Sequence, residues 1–460
     1  MRAINLQRAV RIVLLAGVGV LTAGQASASG FALAEQNSSG LGNAYAGAAA
    51  VAEDASTIFF NSAGLSQISR PSLLVNAAGI NINSNFHNTA SSTALGQPLG
   101  GTGSNAGDYT VLPALYFATP IAWGLSAGLG VNAPFGLKTE YDGSWMGRFQ
   151  AIKSDVKTKN INLAVAYQLN KMISLGVGVD YQKINATLTS AVNYDAVVAQ
   201  GLTSLGQQAA IASTIQTYPG LEGVNKVKGD DSAMGFDVGV LLKPSEQTRI
   251  GLSYRSAIKY TIGGNVTITA PPATTSSTVN GIIGLAKQGT LADGPVMLNI
   301  KLPASARVGV VQEVGNKVEV MGEVMWTQWS TVKELRVLRT NGVTLKNTPE
   351  NWRNTMRYSL GANYQVMDYL KLRLGAALDQ SPVKDTYRTP RLPDADRTWA
   401  SAGGRFDINE TLSLDVGYTH VFVKDASLNQ NDGNTSASGL LVGNQKTSID
   451  ILGAQVSVNF

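Results

Sequence analysis

Apolar residues recur at every second position through most of this chain. Leu370, Leu372, Leu374, Ala376 and Leu378 interleave with Lys371, Arg373, Gly375, Ala377 and Asp379, and Ile173, Leu175, Val177, Val179 and Tyr181 interleave with Ser174, Gly176, Gly178 and Asp180. A period of two is that of a strand with one oily face. The pattern returns at Ile161 to Tyr167, at Val318 to Trp326 and at Leu412 to Tyr418. A soluble sandwich also alternates, but its polar face meets bulk water and carries more charge. Here charged residues are only 15% of the chain, and glycine and serine share the polar face with them, as in a lumen that is partly packed and partly wet. Beyond residue 28 no segment approaches the ~18 uninterrupted apolar residues of a helical span. Any membrane crossing must therefore use strands, closed on themselves so that no backbone group is left unpaired in lipid.

The compartment is read from both ends. Residues 1–28 carry Arg2, Arg8 and Arg11, an apolar run from Ile12 to Leu21, and Ala26-Ser27-Ala28 in a small-x-small pattern. This is a secretory signal peptide, too short to span. Those three arginines supply most of the +5 formal charge, so the body of the chain is nearly neutral and a nucleic-acid partner is not expected. The last residues alternate through Leu452, Ala454, Val456 and Val458 to an aromatic Phe460, a pattern like the last strand of bacterial outer-membrane proteins. With no cysteine, an exported chain of this size has to rely on its hydrogen-bond ladder and core.

Between the leader and the first strand lies residues 29–71. Gly40, Gly42 and Gly47 interrupt it, alanine and serine dominate, and large apolar groups come singly. Such a segment packs best inside something else. The expected fold is therefore all-β: a fourteen-stranded antiparallel transmembrane β-barrel over 72–460, with the 29–71 segment as an N-terminal hatch in the lumen and a helical loop insertion near 191–227. The even strand count returns both ends to one side. A second long insertion spans about 270–294.

Catalytic signatures are weak. His87 and His420 are the only histidines, and neither has the spacing of a zinc helix or an accompanying nucleophile elbow. A membrane lipase using His420 and a structural or adhesive barrel are the competing classes; no metal or cofactor is expected. The six tryptophans, Trp123, Trp145, Trp326, Trp329, Trp352 and Trp399, are expected in the interfacial girdles. Lys371, Arg373 and Asp379 share an inward face, where charges must be paired or solvated. They either brace the hatch or contact a ligand.

The chain also resembles the FadL-type outer-membrane channels for fatty acids and hydrocarbons. The resemblance is carried by Gly30-Phe31, by Ser39-Gly40-Leu41-Gly42-Asn43-Ala44-Tyr45-Ala46-Gly47, by Ala52-Glu53-Asp54-Ala55 and by Asn61-Ser62-Ala63-Gly64-Leu65. Further along it continues in Phe135 to Tyr141, Leu252 to Ser256, Trp326 to Ser330, Leu392 to Trp399 and Asp415 to Tyr418. The resemblance implies passive uptake of hydrophobic small molecules, most of all long-chain fatty acids, with aromatic or aliphatic hydrocarbons as the alternative. It implies a monomer set among outer-membrane lipids and lipopolysaccharide. Phe31 would be a gate, together with the hatch residues Asn61, Ser62 and Ala63, where the family usually has Asn-Pro-Ala. Ligand contacts would fall on Phe31, Asn185, Arg336 and Arg373, with Asn185 standing where the fatty-acid channels have a basic residue. A kink near Gly128, Gly130 and Pro134 would form a lateral opening, since proline cannot donate a ladder bond.

Overall fold

The computed structural model describes residues 30–431 and 435–460. The leader assigned to 1–28, and Ser29, lie outside the described residues. The strands are β1 (Ser72–Asn88), β2 (Tyr109–Pro120), β3 (Leu125–Asn132), β4 (Gly136–Glu140), β5 (Lys153–Gln168), β6 (Ile173–Asn193), β7 (Glu222–Ser245), β8 (Thr248–Arg255), β9 (Ile258–Ile268) and β10 (Gly294–Leu302). They continue with β11 (Ser305–Val314), β12 (Val318–Thr327), β13 (Glu334–Arg339), β14 (Thr344–Pro349), β15 (Thr355–Met367), β16 (Leu370–Asp379), β17 (Arg397–Asp407), β18 (Leu412–Val423), β19 (Ala426–Gln430) and β20 (Leu441–Asn459). Several are one span with a short interruption, as β3 into β4 and β8 into β9. The result is a closed antiparallel barrel of fourteen spans. β1 closes it against β20, in register from Ser72↔Asn459 to Asn88↔Gly443.

Period two accounts for the two faces of the wall. On β6, Leu175, Val177, Val179 and Tyr181 point outward and are exposed, while Asp180 and Gln182 point inward and are buried. Connections are short at the end holding Ser72 and Asn459, as in Ser245 to Thr248, and long at the other. Short turns and chain ends mark the periplasmic side of such a barrel.

Residues 30–71 contain α1 (Ser38–Leu41), α2 (Ala48–Val51), α3 (Thr57–Phe60) and a 3₁₀ turn over Ser62–Gln67. Contacts of this segment reach β1, β3, β5, β6, β7, β8, β11, β17, β18 and β20. Contacts with so many strands fit the expected position inside the ring. Inward glycines make room for it: a Cβ at Gly251 would lie 1.8 Å from the Ala49 carbonyl oxygen, and one at Gly176 2.2 Å from the Ala63 nitrogen. Here the absent side chain decides how closely two backbones approach.

Polar pairs fix the segment's register. Gln455 accepts the Ser38 and Ser39 N–H groups at 2.8 and 3.2 Å and donates to Asp54 at 3.0 Å. Asn61 caps the 3₁₀ turn by accepting from the Ala63 N–H, and its amide donates to the carbonyls of Ala49 at 2.7 Å and Val240 at 3.1 Å.

The helical insertion is narrower than 191–227. β6 and β7 stay paired as far as Asn193↔Glu222, because the alternating residues on both sides sustain a ladder well beyond the bilayer. The helices between them are α4 (Tyr194–Ser204) and α5 (Ile211–Thr217); the second insertion carries α6 (Ser277–Gln288). Val198 and Leu202 of α4 cluster with Val279, Ile282 and Ile283 of α6.

Candidate functional site: a lumenal cavity beside a break in the wall

Strand β3 stops at Asn132 and β4 begins at Gly136. The β2–β3 ladder ends at Leu115↔Val131, whereas β2 stays paired with β1 as far as Tyr109. Above that point β4 pairs only with β5. The wall is therefore interrupted between the upper half of β2 and β4, and Pro134, which has no N–H to give, sits at the interruption. The N-terminal segment satisfies the freed groups. Leu33 N–H donates to the Pro134 carbonyl at 2.8 Å, Gly136 N–H to the Phe31 carbonyl at 2.9 Å, and the Gln36 amide to the Ala133 carbonyl at 3.0 Å. Gly128 and Gly130 have a different local role: a Cβ on Gly128 would meet Ile58 at 2.5 Å, and one on Gly130 would meet Tyr116 at 3.0 Å. Gly128 admits the segment's Ile58, and Gly130 admits the ring of Tyr116 from the neighbouring β2 at the foot of the break.

A cavity of about 80 Å³ lies beside this break, lined by Ala32, Leu33, Phe59, Phe60, Pro134, Phe135 and Trp329 among others. Phe31 is buried next to it. Its ring packs against Phe135, Trp329 and Trp352 with centroids 5.8, 5.0 and 5.9 Å away. Trp352 is held by its indole N–H on Glu350 at 2.8 Å, a carboxyl that burial pushes up to about 8.

Three guanidinium groups reach the same cavity. Arg255 donates from a single Nη1 to both Asp180 oxygens at 2.7 Å and lies 4.7 Å from the Phe59 ring centre. Arg307 pairs with Glu323 at 3.2 Å and lies 5.3 Å from the Phe60 ring centre. Both are neutralised. Arg357 has no ion pair among the described residues, although Asp379 of β16 stands opposite it and also lines the cavity: it stacks 4.4 Å from Trp399, donates to the Ala44 carbonyl at 3.3 Å and leaves its buried Nε without a hydrogen bond. A buried cation in this state favours an incoming anion, because desolvating a charge is costly until a counter-charge arrives. Close by on the N-terminal segment, the Glu35 carboxyl has an unpartnered Oε2, and burial pushes it up to about 7, although Arg357 opposes the shift.

Several expectations need correction. Asn185 does not face the cavity: it is opposite Lys157 and beside the buried, inward Ile184, so its side chain is on the outer face. Arg336 is likewise outside, half-exposed and paired with Glu334 at 2.8 Å, because inward Val337 fixes the parity of β13. Arg373 is inward and buried, but it is bound to Glu53 at 2.6 Å and Asp415 at 2.8 Å, away from the cavity lining. It ties the N-terminal segment to the wall. The tryptophan girdle also fails for four of six residues, since Trp145, Trp329, Trp352 and Trp399 are buried in lumenal or loop clusters; Trp123, 90% exposed, fits it. Asn61, Ser62 and Ala63 are buried in the segment's packing and do not line the cavity. Arg357 escaped the sequence reading, although its place on the inward face of the strand before Leu370 was available from parity.

Fold and site together define a transmembrane β-barrel with an N-terminal segment packed against many of its strands, a small cavity and a lateral interruption. The chain belongs to the outer membrane protein transport protein family (OMPP1/FadL/TodX), whose model matches residues 19–460, and it is an outer-membrane protein. It is 31% identical to the 47 kDa outer membrane protein of Pasteurella multocida, over 89% of this chain and 90% of the relative. It is 30% identical to a long-chain fatty acid transport protein of Escherichia coli, over 92% and 94%. Among solved structures, a FadL homologue of Pseudomonas aeruginosa superimposes with a TM-score of 0.83 at 23% identity, covering 94% of this chain and all of that one. The toluene transporter TodX of Pseudomonas putida gives 0.63 at 15%, covering 88% and 94%.

Proposed function

We propose that this protein takes up hydrophobic carboxylates, long-chain fatty acids above all, across the outer membrane by passive diffusion. It would do so as a monomer, without catalysis and without a cofactor. The named relatives include a long-chain fatty acid transport protein and a toluene transporter, which sets the choice between an acid and a neutral hydrocarbon. The observation favouring the acid is Arg357, a buried lumenal cation that forms no ion pair among the described residues and lines a cavity shared with Phe59, Phe60 and Phe135. A neutral hydrocarbon gains nothing from such a group. In this account the acyl chain displaces the Phe31 ring from its aromatic cage, and the carboxylate settles against Arg357. Residues 31–36 then shift and uncover the interruption between β2 and β4, letting the solute leave sideways into the bilayer.

Binding isotherms for one long-chain fatty acid and for toluene test the reading. Arg357→Gln weakens the acid by about 1–3 kcal/mol, the scale of a charge-assisted hydrogen bond, and leaves toluene unchanged. Phe31→Ala changes both. Equal losses for both ligands in Arg357→Gln would mean that the arginine only supports the plug, and the hydrocarbon reading would replace this one.

A further inference from the structure

On the outer wall of β5 to β10 the exposed apolar band ends in a row of lysines. On β5, Ile161, Leu163 and Val165 give way to Lys159; on β6, Leu175, Val177, Val179 and Tyr181 give way to Lys183. Lys259 on β9 and Lys301 on β10 stand at the same boundary, above the exposed Tyr254 of β8 and Val308 of β11. These lysines face one another in register: Lys159 is directly opposite Lys183, and Lys301 directly opposite Lys259. Only β7 separates the two pairs. With neighbouring strands ~4.8 Å apart, the row spans about 19 Å.

Like charges directly opposite each other on one face of a sheet are destabilising unless something neutralises them. The chain supplies little. Asp230 holds Lys183 at 2.8 Å, while among the described residues Lys159, Lys259 and Lys301 form no ion pair. The far wall is built differently, with Leu378, Thr398 and Phe422 at the corresponding height on β16 to β18; its next lysine, Lys424, is paired with Asp396 at 3.2 Å. The row of mutually opposed lysines is therefore particular to this side, at the edge facing away from the short turns, where the outer-leaflet headgroups lie; elsewhere exposed lysines such as Lys446 of β20 stand singly.

We propose that this row is a docking surface for the phosphorylated glycolipid of the outer leaflet. Its phosphates would bridge the two lysine pairs, and its acyl chains would lie on the Val177, Val179, Phe236 and Val238 face below. The charge fits the phosphates, and the apolar strip directly beneath fits the chains; a free phosphate uses only the first. This holds whichever solute the lumen carries.

The test uses the full protein in detergent, titrated with bisphosphorylated lipid A, with the same lipid dephosphorylated, and with inorganic phosphate, and read by native mass spectrometry. The wild type binds the bisphosphorylated lipid best. Lys159→Gln/Lys183→Gln and Lys259→Gln/Lys301→Gln each lose about twenty-fivefold, at about fivefold per lysine near an anionic surface. The fourfold lysine-to-arginine variant and Lys424→Gln keep the affinity. The two double variants leave the lumen and the ladder intact, so their gel migration checks folding separately. Equal binding of the phosphorylated and dephosphorylated lipids, full displacement by inorganic phosphate, or unchanged affinity in both double variants would each overturn the proposal.

Discussion

At the scale of single residues, the decisive contrast is between two kinds of buried arginine. Arg373 has two carboxylates within 2.8 Å and holds the N-terminal segment to the wall; among the described residues Arg357 has no carboxylate within ion-pair distance. Glu35 adds a pH term. Its carboxyl is raised to about 7 by burial, so between the ordinary value of 4.5 and about 7 the folded protein holds a proton that the released segment gives up. The contribution is present in full below about 4.5, falls as pH rises through this window and is lost above about 7. Glu35→Gln removes the charge that must otherwise be buried. We expect it to make docking of the N-terminal segment independent of pH between about 4.5 and 7, and stronger by up to about 3 kcal/mol above that window. Hydrogen exchange of residues 31–36 against pH measures this; an unchanged slope in the variant would assign the titration elsewhere. Inward orientation of Lys371, Arg373 and Asp379 was legible, because parity needs only one well-placed strand. Asn185 and Arg336 went astray because a family correspondence was carried across positions whose parity on β6 and β13 contradicts it.

At the scale of elements, the interruption after β3 and the N-terminal segment are one device, since the backbone groups that the break frees are those that Leu33, Gln36 and Phe31 satisfy. Pro134 announced the break in the sequence. The sequence did not show that the broken edge is capped from within, because that depends on which strand the segment meets in three dimensions. The glycines facing the plug were legible only as small residues; the contacts explain them. Gly251→Ala forces a Cβ against the Ala49 carbonyl, a backbone group that cannot swing aside. It should loosen the α2 region by about 1–3 kcal/mol, seen as faster hydrogen exchange at residues 47–51, while the barrel keeps its heat-dependent gel shift. Unaltered exchange there would show that the plug sits less tightly than these distances require. The buried tryptophans illustrate the opposite limit: composition points to girdles, but four indoles fill gaps around the loops and the plug, which no local pattern reveals.

For the whole molecule, alternation settled the architecture because closing an antiparallel sheet is the one way for strands to cross lipid without unpaired edges. Twenty strand segments still make fourteen spans, since a bulge or break divides a strand without changing its path around the ring. The account's central claim is that the solute leaves through the interruption between β2 and β4. Uptake of a labelled long-chain fatty acid by cells lacking any other carrier tests it, comparing the wild type with a variant whose residues 133–135 are replaced by a regular Val-Thr-Val strand that restores the β2 ladder. The account predicts a variant that folds and still binds the acid but transports no more than cells without the protein. Transport at the wild-type rate would contradict it, and would place the exit through the plug into the periplasm.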